Sequence, residues 1–219
     1  MLQPEHFELE RTSIWSFPER GKWATHNGKY RGNWSPYVPR NIIERYSKEN
    51  EWVLDQFAGS GTTLVEAKLL NRNAIGVDIN PEAIRLAKEN IDFECETKSR
   101  LEIRTGDASE LGFLKSNSIH LVCTHPPYAD IIRYSEGIKG DLSLLKCKDF
   151  LDKFDSVAKT AYRVIKPGRI CAYMIGDIRQ GGTLYPLGFY TMELFCKADR
   201  KSTRLNSSHP TTSRMPSSA

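Results

Sequence analysis

Short apolar runs, two of them closed directly by an aspartate, alternate with stretches in which apolar residues recur every three or four positions. Trp52-Val53-Leu54 ends at Asp55, Ala74-Ile75-Gly76-Val77 ends at Asp78, and Leu101-Glu102-Ile103 leads into Gly106-Asp107-Ala108. Ile119-His120-Leu121-Val122-Cys123 and the run from Arg169 to Ile175 complete five segments of strand length. Between them, Leu64, Ala67 and Leu70 share one face of a helix over 63–70, and Ala83, Ile84, Ala87 and Ile91 share one face of the next. That second helix has Asn80 to cap it and Pro81 at its first position, where a missing N–H costs nothing. A longer helix, from about Asp149 to Ile165, carries Phe150, Phe154, Val157, Ala161 and Val164, with Lys166-Pro167-Gly168 expected to stop it. The alternation predicts an α/β fold with a mostly parallel sheet, right-handed crossovers and helices on both faces. Ahead of it lie about 50 residues rich in aromatics and turn formers, ending in a short helix over Arg40 to Tyr46 with Ile42 and Ile43 inward.

Composition changes this picture at one end of the chain. At 219 residues the chain is long enough for one domain with its own core. The formal charge of +4 suggests nucleic acid until its source is traced. Residues 199–219 hold Arg200, Lys201, Arg204 and Arg214 against Asp199 alone, which leaves 27 basic and 26 acidic residues elsewhere. The partner therefore has to be argued from motifs. From Asp199 onward the chain turns to Ser, Thr, Asn and Pro, a disordered composition. Its back-translation resembles a short-read sequencing adapter, so we read 199–219 as a scar outside the fold and expect the natural sequence to continue differently after about Ala198. The five cysteines include no Cys-x-x-Cys pair, and Cys123 and Cys171 lie in apolar runs, as core thiols of a reducing compartment do. No metal site is expected. With no membrane-length apolar stretch and no signal-peptide pattern at Met1-Leu2-Gln3-Pro4-Glu5, the expected location is cytoplasmic.

The candidate chemistry sits at the ends of the apolar runs. Gly59-Ser60-Gly61 between a strand and a helix lets backbone approach a ligand, and the free N–H groups of Thr62 and Thr63 favour an anionic group. Asp78, 19 residues after Gly59, is spaced to accept from two ribose hydroxyls, and Asp107 from an adenine amino group. A lone Gly-x-Gly is weak, and Leu64 replaces the third glycine of the dinucleotide fingerprint. Four features in order, acid at 55, glycines at 59 and 61, acids at 78 and 107, make a nucleotide-like cofactor site the better reading.

Asp55-Gln56-Phe57-Ala58-Gly59-Ser60-Gly61-Thr62-Thr63, followed by Thr124-His125-Pro126-Pro127-Tyr128, resembles the two motifs of the DNA amino-methyltransferases. The segments Tyr30 to Arg40 and 129–143 also resemble regions of that family, and the likeness extends over about Trp23 to Ile178. The resemblance implies a Rossmann-like methyltransferase fold with its last strands missing, and S-adenosyl-L-methionine as cofactor. It implies cofactor binding by Asp55, Phe57, Ala58, Gly59, Ser60, Gly61, Thr62, Asp78 and Asp107, with Tyr30 to Arg40 either covering the methionine end or serving as core. Gln56 departs from the family's proline, with an expected effect on loop stiffness more than on ligand chemistry.

In the catalytic motif an exocyclic amino group, a poor nucleophile, is held by two acceptors that aim its lone pair. The resemblance assigns these to the Pro126 carbonyl and His125, with Pro127 stiffening the loop and Tyr128 stacking on a flipped base. Histidine replaces the commoner Asp, Asn or Ser and decides neither adenine nor cytosine. It can accept only when neutral, so turnover is expected to fall below a pKa near 6.5 while Asp78 and Asp107 stay ionised. Arg133 and Lys139 are candidate phosphate contacts. The implied partners are DNA, through the flipped base, and a companion restriction endonuclease. Two alternatives remain: an RNA amino-methyltransferase acting on guanine or adenine, and a cofactor-binding fragment without catalysis.

Overall fold

In the computed structural model the backbone is described for residues 1–205 and side chains for residues 1–199. Helix α1 (Tyr37–Tyr46) precedes strand β1 (Trp52–Asp55), helix α2 (Thr62–Leu69), strand β2 (Asn73–Asp78), helix α3 (Pro81–Ile91) and strands β3 (Leu101–Thr105) and β4 (Ile119–Thr124). Helix α4 (Cys147–Val164), strand β5 (Ile165–Tyr173), the hairpin β6 (Ile178–Gln180) and β7 (Thr183–Tyr185), and helix α5 (Leu187–Leu205) follow. Strands β1 to β5 form one parallel sheet in the order β3-β2-β1-β4-β5. The chain winds outward from β1 through β3 and then returns to the other side of β1. Ligands of open α/β sheets bind at such a reversal, beyond the carboxyl ends of the strands.

Period-two alternation sends neighbouring strand residues to opposite cores. Val53, Ala74, Leu121 and Cys123 pack with Ile42, Ile43, Leu64 and Ala67 beneath α1 and α2. Leu54, Ile75, Val77 and Val122 pack on the other face with Leu111, Leu114 and Val164. A third cluster joins Phe150 and Phe154 of α4 to Leu187, Ile178, Leu142 and Ala129, anchoring the loop after β4. Among the described residues, no helix is long and apolar enough to cross a membrane.

Three expected boundaries differ. Helix α1 starts at Tyr37, because Pro39 falls within its first turn, where proline costs no hydrogen bond. Lys166-Pro167-Gly168 does not separate α4 from β5: the strand starts at Ile165, and these residues are taken up by a break in register between the Ile119–Ile165 and Leu121–Ile170 pairs. Helix α5 runs on to Leu205, so no break in secondary structure marks Asp199. The rest of the expected tail, 206–219, lies outside the described residues.

Candidate active site

The carboxyl ends of β1, β2 and β4 open into one cleft. Its wall includes Asp55 at the end of β1 with Phe57, Ala58, Gly59 and Ser60 beyond it, Asp78 at the end of β2, Asp107 after β3, and His125 and Pro127 after β4. Tyr30, Gly32, Asn33 and Trp34 close it from the amino-terminal segment, and Tyr134 and Asp141 from the long loop. Gly32, His125 and Tyr134 also line a smaller adjoining hollow with Pro126, Tyr128, Ile131 and Ile132. Of the expected site residues, Pro126 and Tyr128 line only the adjoining hollow, and Gly61 and Thr62 line neither. Gly61 (φ +87°) starts α2 in the left-handed region, and a Cβ there would meet the Ala87 backbone at 3.2 Å, so its missing side chain admits α3. The Thr62 hydroxyl donates to Asn33 Oδ1, tying α2 to the segment that covers the cleft.

Asp78 holds the loop as well as facing the cleft. Its Oδ2 accepts from the Gly59 N–H (2.8 Å) and its Oδ1 from the Asn80 N–H (2.9 Å). A carboxylate has about four acceptor positions, which leaves two for a ligand's hydroxyls. Burial raises its pKa to about 6, against the pull of those two N–H groups. The expectation that Asp78 stays ionised well below 6.5 is therefore corrected. Asp55 is buried and occupied: it accepts from Thr124 Oγ1 (2.6 Å), Thr63 Oγ1 (2.5 Å) and the Phe57 N–H (3.0 Å). Burial raises its pKa too. Its bonds join the cofactor loop to the residue preceding His125, so it braces the two motifs against each other. Asp107 accepts from Lys153 Nζ (2.8 Å) and from the Ser109 N–H and hydroxyl. Burial pushes its carboxyl up, but these partners outweigh it and leave the pKa below the ordinary value.

Gln56 does more than alter loop stiffness. Its Nε2 donates to the Ala108 carbonyl (2.8 Å), linking the loops after β1 and β3. Arg133 and Lys139 are exposed on the loop beyond the site.

His125 lies against the Trp34 ring, centroids 5.3 Å apart and planes 19° apart, and its Nε2 is 2.8 Å from the Tyr128 hydroxyl. Burial lowers its pKa to about 4, well below the 6.5 expected from sequence. The next residue after Tyr128, Ala129, is fully buried with φ +47°, a costly conformation outside glycine that turns the chain sharply away from the motif.

Three groups went unread in the sequence. Glu66 on α2 is fully buried and accepts from Trp23 Nε1 (2.7 Å) and Arg40 Nη1 (2.9 Å), with His26 Nε2 at 2.6 Å, fastening the amino-terminal segment behind the loop. Lys153 lies 46 residues from Asp107, and only the folded helix brings them together. Gln180 on the hairpin donates to Asp130, just past the catalytic motif. An acid among apolar residues at 66 was the one available signal.

Comparison with known proteins bears on what this cleft serves. A family model described as a methyltransferase domain matches residues 47–206, and one described as a DNA methylase matches residues 3–89. The Type II methyltransferase M2.DpnII of Streptococcus pneumoniae is 41% identical over 76 residues, 35% of this chain and 27% of that protein. The Type II methyltransferase M.HpaI of Haemophilus parainfluenzae is 54% identical over 60 residues, 26% of this chain and 19% of that protein. The chain thus matches about a quarter or less of the length of these relatives. A solved candidate sarcosine dimethylglycine methyltransferase from Galdieria sulphuraria shares the fold, with TM-score 0.51 and 15% identity over 75% of this chain and 60% of that one. Asp78 and Asp107, carboxylates that line the cleft, suit the hydroxyl and amino donors of a nucleoside cofactor. The chain belongs to the methyltransferase-domain family, with S-adenosyl-L-methionine as cofactor, and its residues 3–89 are similar to the DNA methylases.

Proposed function

We propose that this chain transfers a methyl group to the exocyclic amino nitrogen of adenine or cytosine in DNA, with residues 1–198 as the catalytic domain. The observation that carries this reading is a single cleft walled by Gly59 and Asp78 on one side and by His125 and Pro127 on the other. S-adenosyl-L-methionine would supply an electrophilic methyl group. Asp78 would hold its ribose hydroxyls and Asp107 its adenine amino group, while Phe57, Ala58 and Ser60 shape the wall.

The chain's own residues supply positioning. The Pro126 carbonyl and a neutral His125 accept the two N–H groups of the target amine, so that its lone pair is aimed rather than spread into the ring. Trp34 keeps the imidazole from tilting. Tyr128 offers a face for the flipped base, which offsets an unstacking cost of a few kcal/mol. A companion endonuclease is the proposed partner, in line with the Type II relatives. The test is labelled methyl transfer to duplex DNA, single-stranded DNA and RNA. Incorporation into DNA at adenine or cytosine amino groups is expected; transfer to RNA alone would replace the substrate, and NAD bound in preference to S-adenosyl-L-methionine would overturn the reading.

A further inference from the structure

We propose that Gln56 selects the purine of the cofactor: its side-chain oxygen accepts one of the two N–H groups of the adenine 6-amino group, and Asp107 accepts the other. The proposal rests on the seating of the adenine at Asp107 given above, and not on which nucleic acid is methylated.

Gln56 carries a buried acceptor that has nothing to accept from. The residue is 1% exposed and belongs to the wall of the cleft, with Asp107 and Ala108. Its Nε2 donates to the Ala108 carbonyl (2.8 Å). Its Oε1 is the one buried side-chain acceptor without a hydrogen-bond partner among the described residues. Turning the amide over would set Oε1 against the Ala108 carbonyl oxygen, two acceptors together, so the bond to Ala108 fixes its orientation. A buried acceptor left bare is costly. An apolar side chain of the same length would fill the space without that cost, so the amide points to a donor that arrives with a ligand.

The neighbouring carboxylate shows why a second acceptor is needed. An exocyclic amino group carries two N–H donors, and a carboxylate has about four acceptor positions. Both positions on Asp107 Oδ1 are taken, by the Ser109 N–H (2.8 Å) and the Ser109 hydroxyl (2.7 Å). On Oδ2 one is taken by Lys153 Nζ (2.8 Å). The chain at Gly140 also passes so close that a Cβ there would lie 2.9 Å from Oδ2. Asp107 can therefore hold one N–H of the amine and not both. Gln56 supplies the unfilled acceptor on the same wall, because its own amide is tied to the residue next to Asp107.

The pair discriminates by what stands at position 6 of the purine. Adenine brings two donors to two acceptors. A 6-oxo purine brings a carbonyl oxygen, a third acceptor facing the other two. Such a nucleoside leaves the site's own polar groups unpaired, the kind of mismatch that separates ligands most sharply.

The test compares S-adenosylhomocysteine with S-inosylhomocysteine, in which a carbonyl replaces the amino group, by calorimetry on the chain as it stands. The wild type should prefer the adenosyl ligand by at least about a hundredfold. Gln56→Met keeps the length, removes both polar atoms and should lower that preference roughly five- to twentyfold. An equal weakening of both ligands, with the preference intact, would make Gln56 a brace for Ala108 alone and overturn the proposal. A second measurement needs no variant. S-adenosylhomocysteine labelled with 15N at the 6-amino group and bound to the wild type should show two resolved amino protons, both shifted downfield. One shifted proton, with the other at its position in water, overturns the role of Gln56 and leaves Asp107 in place. A wild type that binds both ligands alike, or neither, overturns the seating at Asp107 and the proposal with it.

Discussion

The two walls of the cleft are built differently. On the cofactor side Asp78 is held by backbone N–H groups of the loops it faces, and Asp107 by a short turn plus one distant lysine. On the catalytic side His125 is held by other side chains, Trp34 on its face and Tyr128 on its edge nitrogen. Backbone donors leave a carboxylate with spare acceptor positions; the side-chain arrangement engages the imidazole through one ring nitrogen and one ring face. Proton affinities follow the same division. Burial raises an acid and lowers a base, so the cofactor side titrates at about 6 and the catalytic side at about 4, the reverse of the sequence expectation.

The largest effect should come from the residue that joins the walls. Asp55→Ala leaves the hydroxyls of Thr63 and Thr124 and the Phe57 N–H without their acceptor, a loss of about 3 kcal/mol or more in unfolding free energy if each unsatisfied group costs 1–3 kcal/mol. Urea unfolding measures it. An unchanged midpoint with cofactor binding abolished would move Asp55 from brace to ligand.

Asp78→Asn should weaken cofactor binding by about 1.5–3 kcal/mol, the range for hydrogen bonds to a charged acceptor, with the circular dichroism spectrum retained. The same residue sets a pH dependence. Calorimetric affinity should hold above pH 6 and fall by up to about tenfold per unit below it, as Asp78 takes up a proton. The stability of the ligand-free chain runs the other way. Because folding raises this pKa from 3.8, Asp78 contributes a stabilisation that is full below 3.8 and lost as pH rises through about 6.

With cofactor saturating, turnover should stay level from neutral pH to about 5 and fall only as His125 becomes protonated near 4. His125→Gln should lower turnover and spare cofactor affinity, as measured by single-turnover transfer and calorimetry. A break near 6.5 would show that the imidazole is more exposed than Trp34 and Tyr128 leave it. The smallest effect belongs to Lys153→Met, a few-fold loss of cofactor affinity, since Asp107 keeps Ser109 but loses its cation.

What could be read from the chain divides along the same line. Asp55, Asp78 and Asp107 were legible as acids at or just past the ends of strands, because apolar runs of strand length announce their own ends. The parallel sheet followed from the alternation. Asp55 as a brace was not legible, since Thr124 lies 69 residues away and nothing local marks the pairing. His125 was recognised by its neighbours Pro126, Pro127 and Tyr128, but its acidity depends on Trp34, which only the fold sets against it. The hairpin over Ile178 to Tyr185 escaped notice because its strands are three residues each, too short for a period to show.

The Glu66 cluster bears on how this protein is made. Trp23, His26 and Arg40 leave the ribosome before Glu66, the acceptor they share. Until α2 has been synthesised, the aromatic segment has no docking point and remains exposed in the nascent chain. Once docked, it covers a carboxylate that cannot be left bare in the core. Proteolytic nicking or engineered truncation within residues 23–40 should therefore unravel α2 and the cofactor loop with it, whereas a tag fused ahead of Met1 leaves all three donors in place.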